Sequence, residues 1–134
     1  MRITLGLALV LLVATSACSS SESEDLYGAW ITPGESLHVS FNEDGSWSVV
    51  HPDADPDRPA AFGTFTFDGE LLTFSRDPDS RNCSPNAGTG LAADAVGIYE
   101  AAFTAEGDLE LNDVDEPCVQ ARVQTRGTLV RYSP

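Results

Sequence analysis

Three glycine-containing segments constrain the fold most: Glu43-Asp44-Gly45, Asp68-Gly69 and Ala105-Glu106-Gly107 each place an acid and a glycine between apolar-alternating runs. That punctuation marks β-hairpins, and side-chain alternation lets each register be tested for apolar residues meeting on one face. A three-residue loop at 43–45 pairs Phe41 with Trp47, Val39 with Val49 and Leu37 with His51, whereas a two-residue turn would set Asn42 against Trp47 and Ser40 against Val49. The three-residue loop is therefore expected. A two-residue turn at Asp68-Gly69 puts Phe65 opposite Leu72 and Gly63 opposite Phe74, with Thr64 and Thr66 facing out. A loop at 105–107 aligns Phe103 with Leu109 and Ala101 with Leu111.

From Leu26 onward the chain continues as short β-type runs separated by Gly, Pro, Asn and Asp. Strands are predicted over residues 26–32, 36–42, 46–51, 61–67, 70–75, 97–104, 108–113 and 127–132, with no amphipathic helix. The tight turns all fall at one end of an up-and-down arrangement. The other end receives the turn at 32–35 and the long loops 52–60, 76–96 and 114–126. The expected fold is all-β: one domain over residues 26–134, forming an eight-stranded antiparallel up-and-down barrel. Such an interior is either filled by side chains or holds one small ligand.

The N-terminal region carries a different signal. Arg2 precedes an apolar stretch from Ile3 to Ala14, too short to span a bilayer, and the run Leu12-Val13-Ala14-Thr15-Ser16-Ala17-Cys18 resembles the lipobox of bacterial lipoproteins. The resemblance implies a signal peptide over residues 1–17, lipidation of Cys18 and a polar tether over residues 18–25. It also implies export and anchoring to the outer leaflet of the cell membrane or, since Ser19 follows the cysteine, to an outer membrane. With Cys18 assigned to lipid, Cys83 and Cys118 remain as an even pair in an exported chain, and a disulfide between them is expected. Two free thiols are the alternative.

Eight strands with Gly28-Ala29-Trp30 on the first and Arg131 on the last resemble the lipocalin-like, or calycin, barrels. The segment around Asp115, Pro117, Cys118 and Arg122, together with Gly97 and Tyr99, is similar to small exported bacterial lipocalin-like proteins. That likeness implies that Trp30 closes one barrel end beneath Arg131. At the long-loop mouth the inward-facing His51, Leu37, Phe74 and Tyr99 are the candidate ligand-binding residues.

The formal net charge of -14, with every basic residue an Arg, argues against nucleic acid or anionic lipid as partners. His38 faces outward and His51 inward, so the two do not share a metal. The alternating carboxylates Asp53, Asp55 and Asp57 lack the Gly and Glu of a calcium loop, with Arg58 and Thr64 at those positions, and read as a solvated loop. No hydrolase, zinc, redox or nucleotide motif is present in the sequence, so a non-enzymatic protein without cofactor or metal is expected. Arg58, Arg76, Arg81 and Arg122 lie in or beside the long loops among acids, a candidate recognition rim. Two functions follow as expectations. The first is a monomeric, membrane-anchored envelope protein that binds a small, partly apolar ligand at the long-loop mouth. The second is an interaction module or inhibitor that presents loops 52–60, 76–96 and 114–126 to an envelope protein from a filled barrel.

Overall fold

The computed structural model describes residues 25–34, 37–83, 91 and 95–133. Its elements are β1 (Gly28–Ile31), β2 (His38–Phe41), β3 (Ser46–Val50), β4 (Ala61–Phe67), β5 (Leu71–Arg76), β6 (Val96–Phe103), β7 (Leu109–Asp115), α1 (Val119–Thr125) and β8 (Gly127–Arg131). Each strand pairs antiparallel with the next in sequence, and β8 returns to β1, closing an eight-stranded up-and-down barrel. β1 and β8 meet at Trp30–Arg131 and Ile31–Val130, whereas β6 and β7 run together from Phe103–Leu109 to Ile98–Asp115.

Two of the hairpins have the register expected from apolar pairing. Phe41 faces Trp47 and Val39 faces Val49, with the ladder ending at His38–Val50, and Phe103 and Ala101 face Leu109 and Leu111. The β4–β5 hairpin differs by two residues: Phe65 pairs with Phe74, Phe67 with Leu72 and Gly63 with Arg76. The cause is Asp68, whose carboxylate accepts from the Glu70 and Leu71 amides at 3.0 and 2.7 Å, making it the residue before the turn. Gly69, at φ 99°, then takes the first central position. A slip of two preserves which face each side chain occupies, so the apolar set still points inward.

The short helix α1 lies within the long connection expected over residues 114–126. Its sequence, Val-Gln-Ala-Arg-Val-Gln-Thr, has β-branched residues at three of seven positions and no buried residue, so it carries no amphipathic signature. It is held from outside. The Glu116 carboxylate accepts the Cys118 amide at 2.9 Å, the Arg122 side chain donates to the Glu116 carbonyl at 2.7 Å, and Cys118 is tied to Cys83.

The core is one cluster running through the barrel, with Trp30, Val39, Phe41, Trp47, Leu72, Phe74, Tyr99, Leu109, Leu111 and Leu129 all buried. Val49, Phe65, Phe67 and Phe103 pack against it. Phe74 is the hub of an aromatic chain, with ring centroids 5.8 Å from Phe41, 5.0 Å from Trp47 and 5.6 Å from Tyr99.

Candidate ligand pocket at the barrel mouth

The tight-turn end is closed by apolar packing. Trp30 is fully buried, its indole N–H donates to the Leu26 carbonyl at 2.9 Å, and its ring packs against Phe103. The Arg131 guanidinium sits 4.2 Å above the Trp30 ring and donates to the Tyr27 carbonyl at 2.9 Å and to the Asp25 carbonyl. Gly28 permits this crossing, since a Cβ there would lie 3.0 Å from Arg131 Nη1. Trp30 and Arg131 thus close this end together.

At the opposite end the chain builds a polar plug. Cys83 and Cys118 form the expected disulfide, with Cα atoms 5.6 Å apart, joining the β5–β6 connection to the start of α1. The same connection is fastened to β4: the Ser80 hydroxyl donates to the Phe62 carbonyl at 2.8 Å, and the Asn82 amide donates to the Ala60 carbonyl at 2.9 Å. Between these lies Glu116, whose side chain is wholly enclosed. Its Oε2 accepts from Arg76 Nη2 at 2.6 Å and from the Tyr99 hydroxyl at 2.8 Å.

A β-bulge explains how an acid reaches the interior here. The register of β7 steps between Ile98–Asp115 and Tyr99–Asp113, leaving Val114 as the extra residue and reversing the alternation beyond it. Glu116 is thereby turned inward over Gly97, where a Cβ would collide with its Oε2. Burial and the neighbouring Glu116 carboxylate push the Tyr99 hydroxyl far above the usual phenol range, so Tyr99 stays a proton donor.

Beneath α1 and beside this plug lies a partly enclosed pocket of about 40 Å³. Leu37, His51, Phe74 and Tyr99, the four residues expected at the mouth, all line it. Among the other lining residues, sequence reasoning did not bring Thr32, Arg76, Asn82, or Ala121, Gln124 and Thr125 of the helix to this site. His51 is exposed and marks the opening. His38 lies on the outer face with its ring 4.5 Å from Tyr132.

The arginine rim is only half as expected. Arg76 is not on it: its side chain is 5% exposed and paired with Glu116, because the β4–β5 register sets it on the same inward face as Phe74. Arg122 turns back onto the Glu116 carbonyl and lies 4.0 Å from Asp113, a partly exposed contact that screening leaves weak. Arg58 and Arg81 remain exposed, joined by a 2.9 Å bond from Arg81 to the Arg58 carbonyl. With Asp57, Pro59, Phe62 and Asp79 they line an open groove of about 390 Å³. Among the described residues no cluster of His, Cys, Asp or Glu is grouped to hold a metal, and no helix is long and apolar enough to cross a membrane. Cys18, with the expected signal and residues 19–24 of the tether, lies outside the described residues, as do residues 84–90 and 92–94 of the β5–β6 connection.

A closed antiparallel barrel with one apolar and one polar plug, the latter roofed by a disulfide-tied helix, is the class that fold and site define. Comparison with protein-family models, with curated proteins and with solved structures finds no match to this chain.

Proposed function

We propose that this protein is a lipocalin-like envelope lipoprotein, anchored through Cys18, whose barrel mouth binds the narrow end of a small, partly apolar molecule. The observation that carries the reading is convergence: four residues separated widely in sequence, Leu37, His51, Phe74 and Tyr99, line one pocket together with α1. Apolar walls with a few converging polar groups are the usual composition of a small-molecule site. The volume limits the ligand. About 40 Å³ accommodates a few waters at most and falls well short of the roughly 150 Å³ that admits a benzene, so only a slim end enters and the rest lies past His51.

The test is native mass spectrometry of the protein purified from its own envelope, compared with an Ala121→Trp variant whose indole fills the pocket. A co-purifying small molecule present in the first and absent from the second is expected. No adduct in the wild type, together with no rise in Tm from any small apolar probe, overturns the reading. Anchoring has a separate test, in which Cys18→Ser releases the protein from membranes and abolishes fatty-acid labelling; unchanged labelling refutes it.

The open groove of Arg58, Phe62 and Arg81 favours a second reading, an interaction module that uses loop 52–60 and the start of loop 76–96. Loss of pull-down of an envelope protein in an Arg58→Ser, Arg81→Ser variant with unchanged Tm is its expected result. Undiminished pull-down counts against it.

A further inference from the structure

Arg76, which lines the mouth pocket, carries a donor that the protein leaves unused. Arg76 lines the pocket, its side chain is 5% exposed, and its Nη1 is buried with no hydrogen-bond partner among the described residues. A buried guanidinium nitrogen without an acceptor is costly, and native structures rarely leave one so. No acceptor of the plug reaches Nη1. Glu116 is already met on both oxygens, by Arg76 Nη2 and the Tyr99 hydroxyl on Oε2 and by the Cys118 amide on Oε1. The Tyr99 hydroxyl, held protonated, spends its proton on Glu116.

The charge at this spot is also decided. Arg76 and Glu116 are an ion pair 2.6 Å apart, both enclosed, and together they are neutral. A second carboxylate placed on Nη1 would share one cation with an enclosed Glu116 carboxylate, a like-charge arrangement that a low-dielectric site opposes. A neutral acceptor meets Nη1 without that repulsion. We infer that the pocket selects a neutral carbonyl-bearing molecule, such as an ester, amide or ketone on a slim alkyl chain, with the carbonyl oxygen accepting from Arg76 Nη1 and the chain against Leu37, Val49 and Phe74. This rests on the reading that the mouth pocket binds a small ligand and adds the chemical class of that ligand.

The experiment uses three probes of similar size on the intact, disulfide-bonded protein at pH 7: methyl hexanoate, hexanoate and heptane. Binding is read from the fluorescence of Trp47, which lines the pocket, and from the shift in Tm. Methyl hexanoate is expected to bind at least about tenfold more tightly than heptane, the increment of one hydrogen bond to a charged donor, and more tightly than hexanoate. Equal binding of ester and heptane, as when Nη1 holds only a water, overturns the inference while leaving the pocket reading intact. Tighter binding of hexanoate than of the ester also overturns it. No binding by any probe defeats the pocket reading itself. A double variant, Arg76→Leu with Glu116→Leu, removes both charges together and is expected to abolish the preference for ester over heptane. The wild-type probe series stands as the test if that variant does not fold.

Discussion

The two ends of this barrel are sealed by opposite chemistries. At the tight-turn end Trp30, Leu26 and Phe103 fill the interior with apolar atoms, and Arg131 lies over the Trp30 ring with its surface still in water. At the loop end an enclosed Arg–Glu pair, a tyrosine hydroxyl and a disulfide hold a helix that contributes no buried residue of its own. Apolar closure stabilises roughly in proportion to area and tolerates imperfect fit. Polar closure leaves volume and unmatched donors, because each group is held at a fixed distance from its partner. The loop end therefore keeps a pocket, whereas the turn end is filled.

The sharpest way to break that comparison is a pair of mutational cycles. Trp30→Ala should cost about 3–5 kcal/mol, and so should Glu116→Leu, the first by a cavity and the second by leaving Arg76 enclosed and unpaired. The double change Arg76→Leu, Glu116→Leu should recover most of the loss, whereas adding Leu26→Ala to Trp30→Ala should deepen it. Denaturant unfolding of the set checks this, and a double at the loop end no better than the single would erase the distinction. Next in size, replacing Cys83 and Cys118 by Ser opens a bridge spanning 35 positions and should lower stability by about 2–4 kcal/mol. Proteolysis should then cut first near α1. A smaller effect is expected from Arg131→Ala, about 0.5–1 kcal/mol for a partly solvated contact over the Trp30 ring, read as a drop in Tm.

The pH responses should also divide between the ends. Tyr99 has its pKa raised by burial and by Glu116, so its contribution is complete below the ordinary phenol value of 10.0 and is lost as pH rises beyond it. Alkaline circular dichroism should show loss of structure above that pH, delayed in Tyr99→Phe. At the turn end Asp44 and Asp68 are held below their ordinary 3.8, by Ser46 and by the Leu71 and Glu70 amides. Their contribution is complete above 3.8 and is lost as pH falls through the depressed values. An acid titration of the wild type should therefore lose stability below that pH, and Asp44→Asn, Asp68→Asn should flatten the fall.

Much of the barrel was legible because period-two alternation and glycine turns act locally. Phe41–Trp47 and Phe103–Leu109 could be paired from sequence, and the disulfide followed from counting thiols. The β4–β5 register was missed because the Asp68 carboxylate, rather than the Asp-Gly dipeptide itself, organises the turn. Glu116 was hidden by the extra residue at Val114, since alternation carried forward from Leu109 and Leu111 turns Asp115 inward instead. Arg76 did carry a readable signal: it continues the inward series of Leu72 and Phe74. Its charge and its position beside a long loop outweighed that signal. Helix α1 could not be read from its own residues, because Glu116, Arg122 and the disulfide define it.

The short ladder between β1 and β8 bears on how the barrel stays closed. Trp30 and Arg131 occupy that seam, so ring and guanidinium act as a clasp on a sheet rolled into a tube. Releasing the clasp converts the tube into an open sheet with two bare edges, each able to pair with another copy. Damage at Trp30 should thus appear as concentration-dependent aggregation, while damage at Arg76 or Glu116 leaves the tube shut.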